Sequence, residues 1–510
     1  MEKTKNFFNK IYKIIAYTAI FLLLVLVNYC HILSKTENIS VNLTYILFVV
    51  VELIIFVLIN KVFFNKLEKM KIQILTVTFI VLFCFMEIVS VYYFRVKYNW
   101  DFKWIIDSAM DIATTGTTQN IYYFKIFPNN LGALIVVTIW LKIFSGNIMG
   151  AYILNIISVL LAVIFSVLTA KKIGGEKLAL NTIILLFLCA PLYLYSPIIY
   201  TDTLSVAIPV MTLYFWILAE ENKTKSNVKH YMYLVFMVII SVIGYCIKPV
   251  AAIVFFAIII DSVFSNKKVF KDIMISLILF ICLTMSYNKV TAKFILKDNR
   301  KNDLEFPTTH WIMMGLGLPE SEGGTAIGYG AYSQKDADFT SISGSYTEKK
   351  NKNIEEIKLR IKNFGTKGYL KFLYNKFKYI WNDGTYYALS LIGWDTLNTN
   401  SIPYRYVLGE KSNIFRNSMT YLNNALFIFI IVGLCVDVFS KKRKAIIRIL
   451  GISLVGIAIF LLVWEARSRY IFFLIPVFAI LGAIGIDNIC NCIKFRTKEE
   501  VKVLDVGKEK

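Results

Sequence analysis

Long apolar runs follow one another along most of this chain, and they constrain it more than any other feature. Residues 15–29, 74–94 and 272–287 carry few or no charges. A bilayer's hydrocarbon core is about 30 Å thick and a helix rises about 1.5 Å per residue, so roughly 20 mostly apolar residues make one crossing. Apolar segments fall at 13–33, 44–63, 73–95, 129–145, 150–170, 178–196, 203–219, 231–247, 250–265, 272–289, 419–439, 445–465 and 468–489. The expected fold is an all-α polytopic membrane bundle of about 12–13 transmembrane helices. Hydrophobic residues make up 57% of the 510, against about 45–50% in ordinary globular domains.

The net charge of +22 would suggest a nucleic-acid partner in a soluble protein. Here the basic residues lie between apolar runs, as membrane orientation requires. Nucleic acid is therefore excluded, and membrane lipids are the expected surroundings. All eight cysteines lie in or at the ends of apolar runs without a CxxC, which reads as small buried hydrophobes. With three histidines in the chain, a His-rich metal site is excluded. The basic residues before the first run suggest a signal peptide, but the run is too long and lacks a small-residue cleavage site, so it reads as a retained helix.

Parity sets the topology. Short loops rich in Lys and Arg belong inside. With the N-terminus inside, the loop with Lys61, Lys66, Lys69 and Lys71 is inside and 96–128 is outside. If 129–145 crossed, then Lys171-Lys172, Lys223/Lys225/Lys229, Lys267/Lys268/Lys271 and Lys441-Lys442-Arg443-Lys444 would all face outside. If it only dips into the outer leaflet, all four fall inside. That gives twelve crossings with both termini inside, although Arg95 and Lys97 then sit outside. The regions are N-terminal helices (1–95), a core (96–289) with its first outer loop (96–128), a large outer loop (290–418), C-terminal helices (419–490) and a cytoplasmic tail (491–510). Within the large loop, Gly323-Gly324, Gly328 and Gly330 mark a flexible stretch. Leu370, Leu373, Phe377, Ile380 and Trp381, interleaved with Lys371, Lys376 and Lys378, read as an amphipathic helix along the outer membrane surface.

Polar residues that could carry chemistry gather on the outer side. Asp101, Asp107 and Asp111 lie in the first outer loop, and Asp101 stands among aromatics that would partly desolvate it, as suits a general base. The plainer reading is a solvated acidic face. In Tyr200-Thr201-Asp202 the aspartate could act chemically or simply cap the next helix. Lys248-Pro249 offers a cation for a phosphate or a snorkelling side chain. Trp464-Glu465-Ala466-Arg467-Ser468-Arg469-Tyr470 puts two arginines in an outer turn against the charge rule. Headgroup anchoring or an anionic lipid-linked ligand would explain them.

In this order the pieces resemble the GT-C superfamily of integral-membrane glycosyltransferases, in particular the bacterial protein O-mannosyltransferase and lipid A aminoarabinose transferase group. They are the outer-loop Asp101, the aromatic/Pro/Asn segment through Asn129, Tyr200-Thr201-Asp202, Lys248-Pro249, and Glu465-Ala466-Arg467-Ser468-Arg469-Tyr470. The sequence departs from that pattern where Phe102, not a second acid, follows Asp101, and where two helices precede the one leading into the loop.

The resemblance implies an inverting-type transferase in a bacterial cytoplasmic membrane. The sugar would move from a polyprenyl-phosphate donor to a hydroxyl on a wall polymer, glycan, glycolipid or protein at the outer face. It implies Asp101 as base, Asp202 as the second acidic residue, and Lys248, Arg467 and Arg469 at the lipid phosphate. Tyr123, Asn129, His310, Glu465 and Tyr470 are the further substrate-binding candidates. No resident cofactor is expected beyond the donor, and no residue pattern supports a divalent metal. The alternatives are a transporter or flippase of lipid-linked sugars, suggested by Glu52 and Glu87 inside apolar segments, and a polysaccharide polymerase with its large outer loop.

Overall fold

The computed structural model describes residues 2–33, 39–265, 270–298, 300–319, 321–322, 325–326, 328–342, 344–439 and 444–492. The expectations for Lys267/Lys268, Gly323-Gly324, Lys441–Arg443 and the tail beyond residue 492 lie outside them. In a bilayer the backbone must satisfy its own hydrogen bonds, and the chain does so almost wholly as helices. Among the described residues, strand pairing is confined to a two-residue antiparallel pair, β1 (Ser321–Glu322) with β2 (Thr325–Ala326), and a bridge between Val96 and Thr396.

α1 (Glu2–Leu33), α2 (Ile39–Leu58) and α3 (Lys69–Tyr93) open the chain. The first outer loop holds α4 (Trp100–Thr115) and α5 (Ile121–Ile126), followed by α6 (Leu131–Ile143). The core continues through α7 (Ile148–Leu188), α8 (Ala190–Leu194), α9 (Thr201–Ser205), α10 (Ile208–Asn222), α11 (Asn227–Ile247), α12 (Ile253–Ser265) and α13 (Phe270–Val290). The large loop carries α14 (Thr308–Met314), α15 (Gln334–Ser341), α16 (Tyr346–Trp381), α17 (Ala388–Gly393) and α18 (Ile402–Val407). α19 (Ser412–Phe439), α20 (Lys444–Val463) and α21 (Ile475–Cys492) complete it.

Among the described residues, ten helical stretches are long and apolar enough to cross a membrane, with two shorter apolar ones at Pro128–Ile143 and Pro249–Ser265. One of the ten, Ile148–Leu188, is 41 residues long and is broken at Gly175 (φ 79°, ψ −166°), a left-handed conformation that glycine adopts without penalty. The chain reverses there, because Asn155 on one arm donates to the Ser196 carbonyl beyond the other (3.0 Å). α7 therefore supplies both expected segments, 150–170 and 178–196.

The basic turn of this hairpin lies at one end of the bundle. There Lys177 reaches Asn65 (2.8 Å) and Lys172 reaches Glu221 (2.7 Å). Lys223 reaches Asp272 (2.7 Å), and buried Arg448 pairs with Asp261 (2.8 and 3.1 Å). The first outer loop lies at the opposite end. Tyr98 donates to the Tyr152 hydroxyl at the start of α7 (2.7 Å), and Val96 bridges Thr396 of the large loop. α6 starts with Gly132 against Cys246 and finishes at Gly146 against Thr114 of α4. Both ends of α6 thus lie at the end of the bundle opposite the basic turn. Counting the hairpin twice and including Pro249–Ser265 gives twelve candidate crossings among the described residues.

The stretch Ser468–Cys492, which ends in α21, is the central post, and 89% of its most apolar 18 residues are buried. Gly485 lets its backbone touch α19, since a Cβ there would fall on the Phe429 carbonyl and one at Gly433 would meet Gly485. α1 lies against α12, α19 and α20. Asn28 reaches the Phe427 carbonyl (3.4 Å), Tyr12 donates to Asp261 (2.8 Å) and Asn9 donates to the Ser265 carbonyl (3.1 Å).

Two expectations are corrected. The helix expected along the membrane surface is the second arm of α16, which bends at Gly365 (φ 58°). It enters the bundle instead, burying Phe372, Lys376, Phe377, Ile380 and Trp381, with Trp381 against Phe427 and Phe478. Not all cysteines are interior either, because Cys282, Cys435 and Cys492 face outward from their helices. All three remain within or at the end of apolar helices, where lipid takes the place of a protein core.

The sidedness has a direct readout. A membrane-impermeant thiol reagent added to intact cells should label Ser345→Cys, in the large loop, and spare Ser226→Cys, at the head of α11. Each site is a helix N-cap, so each change costs about 1 kcal/mol without altering the fold. The opposite labelling pattern would invert the scheme.

Candidate active site

Four separate parts of the sequence meet at the outer end. α4 starts behind Asn99, whose Oδ1 accepts from the Trp100 N–H (3.2 Å). Trp100 itself takes a left-handed φ of 48°. The turn leaves Asp101, which is half-buried, pointing at two phenols. Oδ1 accepts from the Tyr123 hydroxyl (2.7 Å) and Oδ2 from the Tyr200 hydroxyl (2.8 Å). Tyr123 stacks on Trp104 and accepts from Asn130 Nδ2 (2.5 Å). Asn129 reaches only its neighbour Asn130 (3.3 Å). Burial pushes both phenols well above their ordinary range, and the Asp101 charge adds to this, so they remain donors that fix the carboxylate. Asp107 and Asp111 point elsewhere, to Lys103 (2.7 Å) and Thr118 (3.2 Å).

Asp202 lies in α9, behind Tyr200, and is 1% exposed. It forms no helix cap, so capping does not account for it. Its Oδ1 pairs with Lys248 Nζ, while the buried Oδ2 has no hydrogen-bond partner. Lys248 does not snorkel. It is buried at the break between α11 and Pro249, 4.9 Å from the Tyr470 ring centre. Burial pulls its ammonium below the usual lysine range, and Asp202 opposes that pull.

The turn after α20 closes the group. The Arg469 guanidinium lies 5.4 Å from the Tyr200 ring centre and reaches Tyr470 Oη (3.3 Å), while its buried Nε is unpartnered. Glu465 is 4% exposed and forms no hydrogen bond or ion pair among the described residues, although its charge acts on Lys248, Arg469 and Tyr470. Arg467 donates to the Tyr387 hydroxyl, and its charge acts on Tyr470. Ser468 donates to Asp383 (2.7 Å). The sequence reading omitted Tyr200, Asn130, Asp383 and Tyr387 as site residues. Tyr200 was available as the residue beside Asp202. The others stand in stretches whose neighbours are set only by long-range folding.

His310 is outside this group. It is a core residue of the large loop, with Nδ1 2.7 Å from Thr340 Oγ1 and its ring against Phe306 and Trp311. Burial pushes its imidazole down to about 4, with Asp336 opposing. The unfolded chain titrates near 6.5 and so binds more protons between about 4 and 6.5. The stabilisation is complete above about pH 6.5 and is lost as pH falls through 4. It is worth about 3 kcal/mol at about 1.4 kcal/mol per pH unit. The melting midpoint should fall over this window and be flatter in His310→Gln; equal slopes in the two proteins would refute the assignment.

The arrangement can position a carboxylate against a hydroxyl and place cations a short way off. Glu87 is tied towards this group, since it accepts from Ser196 (2.9 Å) in the segment leading to Tyr200.

Residues 1–490 match the model of a family described as "Conserved hypothetical integral membrane protein". No curated protein matches the chain. Among solved structures, the chain is similar to ArnT from Cupriavidus metallidurans bound to undecaprenyl phosphate, with 14% identity over 80% of this chain and 77% of that one, at a TM-score of 0.36. The apo structure of that protein gives 13% identity over the same shares, at 0.34. The archaeal oligosaccharyltransferase AglB from Archaeoglobus fulgidus, in complex with an inhibitory peptide and a dolichol-phosphate, gives 12% identity over 84% of this chain and 53% of that one, at 0.40.

Proposed function

We propose that this chain, which belongs to the family of conserved hypothetical integral membrane proteins, is a glycosyltransferase moving a sugar from a polyprenyl-phosphate donor to a hydroxyl acceptor at the outer end of its bundle. It is a multi-pass membrane protein. The observation that carries the reading is the meeting of Asp101, Tyr200, Asp202, Lys248 and Arg469, drawn from four distant segments, at one end of the molecule. A transport pathway would instead gather its charges near mid-depth.

The chemistry follows from the side chains. The acceptor oxygen attacks the anomeric carbon from the face opposite the lipid phosphate and forms the new C–O bond as the old one breaks. The acceptor proton passes to Asp101, which its two phenol donors hold in place. The bonding pair leaves with the phosphate, whose added negative charge is met by Arg469, Arg467 and Lys248. A single displacement inverts the anomeric centre. The leaving group needs positive charge rather than a proton, so no second general acid is required. The natural setting is the bacterial cytoplasmic membrane, with a wall polymer, glycan, glycolipid or protein hydroxyl as acceptor.

The test is transfer by the purified protein from a defined undecaprenyl-phosphate sugar to wall-polymer acceptors. Arg467→Ala and Arg469→Ala should each weaken donor use about ten- to a hundredfold, the equivalent of roughly 1.5–3 kcal/mol per charge-assisted contact. Arg→Lys should restore part of that, since lysine lacks the planar fork. Movement of the lipid across vesicles without sugar transfer would replace this reading with a flippase.

A further inference from the structure

On the far side of Arg467 lies a structure that the displacement above leaves unused. Residues 382–387, just after α16, read Asn-Asp-Gly-Thr-Tyr-Tyr. Tyr386 and Tyr387 have φ of 50° and 66°. Bulky L side chains seldom adopt that left-handed region, and two in succession persist only where their surroundings hold them.

Asp383 is what holds them. Its Oδ1 accepts from the Thr385 N–H (2.9 Å) and hydroxyl (2.5 Å), and its Oδ2 from the Tyr387 N–H (2.8 Å) and the Ser468 hydroxyl (2.7 Å). One carboxylate thus ties the strained turn to the turn that carries both arginines. Tyr386 is pinned separately, donating to Asn423 Oδ1 (2.5 Å) while its carbonyl accepts from Tyr195 (2.7 Å). Between these anchors, the Tyr387 ring lies 4.8 Å from the Arg467 guanidinium and its hydroxyl accepts from Nη1.

The nature of that partner matters. Lys248 is matched by the carboxylate of Asp202. Arg467 is held by a neutral phenol, and among the described residues no carboxylate pairs with it. It is fixed in direction while keeping its charge for an incoming anion.

We infer that Asp383 and Tyr387 are positioning residues that present Arg467, as an un-neutralised cation, to the phosphate of the lipid carrier. This rests on the donor reading above. The experiment measures the affinity of undecaprenyl phosphate itself, without sugar, for the full-length protein in neutral-lipid nanodiscs. Asp383→Asn places an amide N–H where donors already point and should weaken binding about tenfold, close to Arg467→Ala. The double variant should bind within about twofold of Arg467→Ala alone, because both changes remove one function. Tyr387→Phe keeps the ring and loses the acceptor. It should weaken binding about two- to fivefold and be likewise non-additive with Arg467→Ala, which keeps the test in hand if Asp383→Asn does not fold. Additive losses would overturn the inference, as would normal affinity in both Asp383→Asn and Tyr387→Phe beside weakened binding in Arg467→Ala. Normal affinity in Arg467→Ala would overturn the donor reading of this turn and the inference with it.

Discussion

Asp101→Asn is expected to give a folded, membrane-inserted protein that still binds the donor and turns over about 10²–10⁴ times more slowly. The fold should survive because asparagine can keep both contacts. Its carbonyl accepts from one phenol, and its amide can donate to the Tyr200 hydroxyl once that hydroxyl turns, while Tyr123 remains engaged with Asn130. What asparagine cannot do is take the acceptor's proton. Asp107→Asn and Asp111→Asn should be mild, because these side chains pair with Lys103 and Thr118 at the surface. Asp202→Asn should fall between, since it leaves Lys248 buried without its counter-charge. Single-turnover rates and donor affinities measured on the same preparations separate the cases. Near-normal transfer by a normally expressed Asp101→Asn would remove the central claim.

The second large effect concerns stability. Lys376 is 0% exposed, and its ammonium donates to the carbonyls of Gly315 (2.5 Å), Trp464 (2.6 Å) and Leu462 (3.1 Å). Two of these close the C-terminal end of α20 and the third belongs to the large outer loop, so one cation joins α16, α20 and the loop. Burial pushes the amine down to about 7, with Glu465 opposing; three carbonyl acceptors favour the charged form. Lys376→Met keeps much of the volume and abandons the three carbonyls, a loss of about 3–5 kcal/mol. The variant should melt earlier in detergent and expose the loop between 290 and 418 to protease. Lys376→Arg should not restore it, because Gly330 is packed against the lysine's terminal carbon. A melting midpoint equal to wild type would show that the carbonyls find other donors.

Lys376 also marks the boundary of what the sequence makes legible. Long apolar runs are enough to find the helices that could cross a bilayer, and basic loops to set 129–145 apart as a segment whose two ends lie at one end of the bundle, because hydrophobicity and charge act locally. The same local logic misjudged α16. Phe372, Lys376 and Ile380 recur every four residues and so share one helix face. The periodicity put the lysine on the buried stripe, while its charge argued for the surface. Only the three carbonyls waiting for it, supplied from residues 315, 462 and 464, reconcile the two.

The site divides in the same way. Asp101, Asp202, Lys248 and Arg469 stood out because charge beside an apolar run is costly and calls for a reason. Tyr123 is legible in the sequence without its partner, and Tyr200 only as the neighbour of Asp202. Asp383 and Tyr387 stayed hidden because a polar loop residue needs no local excuse. Their meaning lies in what Ser468 and Arg467 bring to them from about eighty residues away. His310 is the opposite error, since a rare histidine drew notice and proved to be a core residue of the loop.

The place of α1 bears on how the molecule is made. It is made long before its partners: Asn28, which also bonds the Leu24 carbonyl of its own helix, meets Phe427, 399 residues later, and Tyr12 and Asn9 wait for Asp261 and Ser265 of α12. Until α12 is made this helix therefore stands in the bilayer with Tyr12 and Asn9 unmatched, and its packing is completed in two stages, against α12 and then against α19. A nascent chain stalled before α12 presents the membrane's quality-control machinery with a half-built bundle whose exposed asparagine and tyrosine distinguish it from the finished one.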